Sequence, residues 1–270
     1  MLPTPSTSHV PFDTIYEPSE DSYLFLDTLS SPSESAWLSD RFASPHSKPS
    51  PSPLIVEVGT GSGVVLAFAA ANSKEIFNRR DVLAIGTDVN RNACIATRGT
   101  VEGAVEERQG RSSEADEKGS GSRTVFLSSL TSDLTSCLRN NSVDVLLFNP
   151  PYVPTEELPK LPCPSDNGAE SKVQSKSEKF ESDSYFLSLT YAGGADGMET
   201  TNRLLQAIPQ ILDTSRGVAY VLLCRQNQPG EVVSGIRGWG GGWNAEVVGD
   251  SGGKAGWEKL VIVRIWRVDL

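Results

Sequence analysis

Histidine is nearly missing from this sequence: His9 and His46 are its two, both in polar, Pro/Ser-flavoured stretches near the start. That argues against a Ser-His-Asp or Cys-His set in a folded core, and against a histidine-rich metal site, so no metal is expected. Cysteine is sparse as well. Cys94, Cys137, Cys163 and Cys224 lie far apart with no C-x-x-C pair, which suits core or surface thiols in a reducing compartment, the cytoplasm or nucleus, better than a disulfide framework. No apolar run approaches the ~20 residues of a membrane span; Val64–Ala71 is among the longest. The start, MLPTPSTSHVPFD, lacks the basic-then-apolar order of a signal peptide. Positive charge is short too. With 24 Lys+Arg against 34 Asp+Glu, the net charge of -10 repels phosphate backbones, so direct binding to nucleic acid is not expected.

What is present fits one domain over the 270 residues. Three polar stretches read as insertions that stay looped or disordered: 30–53, rich in Ser and Pro, then 106–123 and 156–183, rich in charge. They hold too little apolar surface to offset the entropy of ordering. Without them about 200 residues remain, the size of one α/β domain.

The remainder alternates strand and helix patterns. Strands are expected at Leu54–Val58, Val82–Thr87, Thr124–Ser128, Val143–Phe148, Gly217–Cys224, Glu246–Val248 and Leu260–Trp266. Helices are expected at Ser62–Asn72, Asn90–Val105, Ser184–Tyr191, Met198–Leu212 and Gln226–Arg237, with a short one at Asp133–Arg139. Ahead of them, within 12–29, Glu20–Leu29 reads as an amphipathic helix docked on the core. Repeated β-α-β units imply a doubly wound, mostly parallel seven-stranded sheet. The last two strands have no helix between them and so form an antiparallel hairpin at one edge. The third strand should lie at the other edge, leaving Val125-Phe126-Leu127 apolar and unpaired. Gly238–Trp243 (GWGGGW) reads as a glycine-rich connector.

Glu57-Val58-Gly59-Thr60-Gly61-Ser62-Gly63 joins the first strand to its helix. Its glycines allow a tight turn and close approach of a ligand. Glu57 would repel a diphosphate but suits a cation such as the sulfonium and ammonium of S-adenosylmethionine; the alternative is a glycine turn with no ligand. Asp88, 25 residues after Gly63, stands near the spacing at which an acid reaches a ribose diol, or else only caps the next helix. Asp133 is placed to accept from an adenine amino group, with a helix cap as the competing role.

Asn149-Pro150-Pro151-Tyr152 ends the fourth strand. Its prolines lack N–H groups, so the loop offers acceptors and few donors. With the Asn149 side-chain carbonyl it can accept both hydrogens of one planar NH2 group, on which Tyr152 can stack. Such nitrogens are weak nucleophiles, and holding them in line is how this turn would promote methyl transfer without a histidine base. The bland alternative is a rigid turn that closes a strand.

Glu57–Gly63, Asp88 and Asn149–Tyr152, in that order, resemble the class I S-adenosylmethionine-dependent methyltransferases, a Rossmann-like fold, with the N-P-P-Y signature. Tyr16-Glu17-Pro18-Ser19-Glu20-Asp21-Ser22 and Tyr191-Ala192-Gly193-Gly194-Ala195-Asp196-Gly197 sharpen this to the HemK-type protein-glutamine methyltransferases, release-factor branch. The resemblance covers about residues 12–29, 54–155 and 184–224. It implies N5-methylation of the glutamine in the Gly-Gly-Gln loop of a class-1 translation release factor, and a heterodimer with a small zinc-binding activator. By position it implies that Asn149, Pro150, Pro151 and Tyr152 hold the substrate amide. Glu57, Gly59, Thr60, Gly61, Gly63, Asp88 and Asp133 would hold the cofactor, with Glu20 and Asp21 closing over its methionine end. The insertion at 156–183 departs from the family pattern and borders the substrate side. The rival readings are an adenine-N6 methyltransferase acting on DNA or RNA, a protein lysine methyltransferase, and a binding subunit with a vestigial cofactor fold.

Overall fold

The computed structural model describes residues 2–43, 50–110, 122–162, 176–252 and 259–268. Helices α1 (Glu20–Leu29) and α2 (Pro32–Arg41) precede the first β-α unit, β1 (Leu54–Val58) and α3 (Val64–Ala71). A short α4 (Ser73–Phe77) leads to β2 (Leu83–Asp88), α5 (Arg91–Gln109), β3 (Val125–Thr131) and β4 (Val145–Phe148). Then follow α6 (Lys176–Tyr191), α7 (Glu199–Ile211), β5 (Val218–Cys224), α8 (Pro229–Arg237), β6 (Trp243–Asp250) and β7 (Leu260–Arg267).

The seven strands run in the order β3-β2-β1-β4-β5-β7-β6. Neighbours from β3 to β5 are parallel, and β7 pairs antiparallel with both β5 and β6. This is the doubly wound sheet with a closing hairpin that the alternation predicts. Strand β5 shows why near-continuous apolar runs are needed, since both its faces are covered. Val218, Tyr220 and Leu222 join a core with α1 to α5, while Ala219, Val221 and Leu223 join a second core with α7 and α8. The expected bare edge is also there. On β3, Val125 and Leu127 are about half exposed, while Phe126 packs inward.

Position on the sheet matters more than shape. Val58 stands level with Thr87 on β2 and with Phe148 on β4. The glycine loop, Asp88 and Asn149 therefore leave the sheet side by side at its carboxyl edge, where doubly wound sheets bind ligands.

The polar stretches correct the sequence reading. Within 30–53, α2 is a regular helix. The Ser31 side chain accepts from the Glu34 amide at 3.3 Å, with Pro32 in the first turn. Leu38 and Phe42 are fully buried, Phe42 edge-on to Phe77 at 6.0 Å. Composition hid a well-formed start signal and an i,i+4 apolar pair. In 106–123, α5 continues to Gln109, whose Nε2 donates to the Ala70 and Ala71 carbonyls and whose Oε1 accepts from the Thr124 amide; 111–121 lie outside the described residues. In 156–183, α6 starts at Lys176, earlier than expected, and 163–175, with Cys163, lie outside the described residues, as does His46. The short helix expected at Asp133–Arg139 is a run of turns, broken by Leu134 at a φ of 49°.

α2 is pinned by charge as well as by packing. Arg264 Nη1 donates to both oxygens of Glu34, at 2.7 and 2.9 Å, and the Tyr220 hydroxyl donates to Glu34 at 2.9 Å. Burial, with the Glu34 charge beside it, pushes the Tyr220 hydroxyl well above its usual pKa, so it remains a donor. The Arg264 guanidinium lies between Trp37 and Trp266, at 4.2 and 4.8 Å from their ring centroids. Replacing Glu34 by Ala takes from the buried Arg264 guanidinium its buried carboxylate, leaving it Glu246, a half-exposed partner at 2.9 Å, and takes from the Tyr220 hydroxyl its acceptor. We expect a loss of about 3 kcal/mol in urea unfolding; a change below about 0.5 kcal/mol would show the pair to count no more than a surface contact.

Candidate active site

The glycine loop is shaped by left-handed backbone. Gly59, Gly61 and Gly63 have φ of 64°, 51° and 76°. At Gly63 the constraint is also steric, because an added Cβ would stand 2.8 Å from Thr97 Cα. That contact lets α5 hold the loop from behind: Thr97 Oγ1 donates to Thr60 Oγ1 and the Gly61 carbonyl, and Thr100 Oγ1 donates to the Ser62 carbonyl at 2.6 Å. Thr97 and Thr100 were not singled out from the sequence. Their spacing of three, facing an apolar helix stripe, was the available signal.

Glu57 is buried under this loop. Its Oε2 accepts from Thr60 Oγ1 at 2.9 Å and from the Leu66 amide at 3.0 Å. Burial raises its pKa to about 8 despite these two donors, with the neighbouring Asp88 charge adding to the rise. Asp88 is likewise pushed upward by burial, against hydrogen bonds from the backbone. Its Oδ2 accepts from the Gly61 amide at 2.9 Å and its Oδ1 from the Asn90 amide at 2.8 Å. The cap of α5 is Asn90, whose side chain accepts from the Asn92 amide. Asp88 is therefore not that cap. Two carboxyls held in low dielectric, with no cationic side chain paired to them among the described residues, suit a ligand that brings positive charge.

The Asn-Pro-Pro-Tyr turn forms the opposite wall. Asn149 Oδ1 is buried and, among the described residues, has no hydrogen-bond partner. A buried acceptor in that state calls for a donor from outside the chain. The turn is locked from behind by the Tyr191–Gly197 segment. The Val153 amide donates to the Tyr191 carbonyl and the Gly193 amide donates to the Val153 carbonyl. Gly197, at a φ of 68°, presses its Cα on the Tyr152 carbonyl so closely that a side chain cannot fit.

Between the walls lies a cavity of about 400 Å³. It is lined by Glu57, Gly59, Thr60, Gly61, Asp88, Asp133, Asn149, Pro150, Pro151, Tyr152 and Asp21, so eleven of the thirteen candidate residues share one space. Gly63 does not line it and acts through its contact with Thr97. Of the expected pair, Asp21 is buried and lines the cavity beside the buried Ser22, whereas Glu20 is exposed on α1 and outside the lining. A helix turns adjacent residues about 100° apart, and on α1 that turn leaves Glu20 in solvent while Asp21 and Ser22 both reach the cavity. Asp133 is bound to Arg203 of α7 at 2.5 Å. On the far side the described part of the 156–183 insertion supplies Leu158, Pro159 and Leu161, which face Phe186 and Leu189 of α6; the Tyr185 hydroxyl donates to the Lys160 carbonyl at 2.6 Å. The insertion thus forms a wall of the cavity.

The donor set fits a nucleoside with a cationic tail: acids for ribose and ammonium, a glycine cradle, and no basic side chain on the loop for a phosphate. No protein-family model matches the chain. Searches of curated proteins find similarity over nearly its full length. The eRF1 methyltransferase catalytic subunit mtq2 of Schizosaccharomyces pombe is 28% identical over 271 residues, covering 99% of this chain and 97% of that one. The human methyltransferase HEMK2 is 27% identical, covering 85% and 82%. A putative protein N5-glutamine methyltransferase of Methanocaldococcus jannaschii is 24% identical, covering 94% and 92%. By sequence the chain is thus similar, over most of its length, to proteins named as eRF1 and protein N5-glutamine methyltransferases.

Proposed function

We propose that this chain is the catalytic subunit of an S-adenosylmethionine-dependent methyltransferase that modifies the N5 atom of the glutamine in the Gly-Gly-Gln loop of a class-1 release factor. The observation that carries the reading is that Asn149, whose buried Oδ1 has no partner among the described residues, lines the same cavity as the glycine loop. The relatives' names support the protein substrate and the glutamine. The cofactor supplies an electrophilic methyl carbon on a sulfonium. Glu57, Asp88 and the glycine loop would hold its ammonium, ribose and backbone. Asn149 Oδ1 accepts an N–H of the substrate carboxamide and turns the nitrogen toward the cofactor. Pro150 and Pro151 present no competing donors, and Tyr152 covers the amide plane. Asn149 is neutral and orients the amide without titrating.

The activator subunit belongs to the same reading. One relative is named a catalytic subunit, and the bare apolar β3 edge gives a partner strand a place to pair.

The test is transfer of labelled methyl groups by the chain with its activator to release factor, with DNA and histone in parallel. Label is expected on the release factor and lost when the loop glutamine is replaced; label on DNA or histone alone overturns the assignment. Asp88→Ala should weaken cofactor binding about tenfold or more in calorimetry, since it removes a charged acceptor and frees the Gly61 amide. An unchanged Kd would remove Asp88 from the cofactor site.

A further inference from the structure

Asp133 follows β3 in a stretch of turns, beside the left-handed Leu134, whose carbonyl accepts from Thr87 Oγ1 at 3.0 Å. That bond fixes the backbone but not the Asp133 side chain. Among the described residues, the Asp133 carboxylate has one side-chain partner: Arg203 Nη2 donates to its Oδ2 at 2.5 Å. Both residues line the cavity, Arg203 reaching it from α7 next to Thr200. A carboxylate has room for about four donors, so the other oxygen, Oδ1, is left to accept from whatever occupies this end of the cavity.

We infer that Arg203 is a positioning residue, which holds Asp133 so that Oδ1 accepts the exocyclic amino group of the cofactor's adenine and rejects a purine carrying a carbonyl there. The inference rests on the cofactor reading above. An isolated pair this exposed, with side chains 46% and 34% accessible, contributes little to stability. Its consequence is geometric: a carboxylate free to rotate offers its acceptor in the right place only part of the time, whereas one tethered to a guanidinium keeps it aimed. A purine with a carbonyl at that position would set oxygen against oxygen and leave the acceptor without its hydrogen.

Calorimetric binding of S-adenosylhomocysteine and of its inosine counterpart to the full chain with its activator tests this. The wild type should prefer the adenine form by about tenfold or more, the scale of a hydrogen bond to a charged group. Asp133→Ala should bring the ratio near one. Arg203→Met, which keeps the aliphatic stem, should lower the ratio at least about threefold, and Arg203→Lys should recover part of it. A purely structural role for Arg203 would weaken both ligands alike and leave the ratio intact, which overturns the inference. Equal binding of both ligands by the wild type overturns it too, with the cofactor reading intact. Binding of neither removes the cofactor reading itself.

Discussion

Asn149→Ala should lower kcat by a factor of about 10²–10³, the scale seen when one preorganised polar contact to a reacting group is removed, while the cofactor Kd stays within about twofold. The asymmetry follows from where Asn149 stands, in the wall of the cavity opposite the glycine loop. Asn149 Oδ1 is buried without a partner among the described residues, so the folded chain gains nothing from it, and truncation leaves no new orphan within the protein. The interaction comes into being when substrate supplies an N–H. On the proposed reading, cofactor binding depends instead on Glu57, Asp88 and the glycine loop, which α5 holds through Thr97 and Thr100. Single-turnover methyl transfer gives the first quantity and calorimetry the second. Equal losses in rate and in cofactor affinity would make Asn149 a cofactor ligand and remove the amide clamp.

The same division of labour explains what was legible in the sequence. The strands are short apolar runs closed by glycine or proline, and burial on both faces demands that pattern. Glu57, Asp88 and Asn149 could be placed together because each stands at or beside the carboxyl end of a strand, and parallel neighbours bring those ends to one edge. Residues that reach the cavity sideways were not readable in this way. Arg203 is an ordinary surface arginine until the packing of α7 aims it at Asp133. Glu20 and Asp21 were indistinguishable until α1 faced one of them inward. Helix α2 failed to register for the opposite reason. Serine and proline counts suggested an unstructured insertion, yet Ser31, Pro32 and Glu34 sit where a helix start wants them, and Glu34 meets its partner, Arg264, some 230 residues away. Position within the helix outweighed composition, and a contact that distant leaves no local trace.

Glu57→Gln should make the ligand-free protein more stable at pH 8 and a poorer cofactor binder. Burial raises the Glu57 pKa from 4.5 to about 8, so the folded chain holds this proton more tightly than the unfolded chain. The group's favourable contribution is therefore complete below pH 4.5 and is lost as pH climbs toward 8, at about 1.4 kcal/mol per pH unit. Glutamine stays neutral, and its carbonyl can still accept from Thr60 Oγ1 and the Leu66 amide. At pH 8 the variant should gain about 4 kcal/mol and melt about 8–16 °C higher, while at pH 4.5 the two should melt within about 2 °C of each other. Binding reverses the preference. A cationic ligand needs the ionised carboxylate, so wild-type affinity for the cofactor should rise toward pH 8 by up to about tenfold per unit, with proton release on binding at pH 7. The Gln variant should bind at least about tenfold more weakly at pH 8, release no such proton, and lose this pH dependence. A Gln variant that melts lower at pH 8 yet binds cofactor as the wild type does would mean that Glu57 supports the loop and does not meet the ligand's charge. The predicted result would instead place the strain of a buried, ionised acid in the free enzyme, relieved only when the cation arrives.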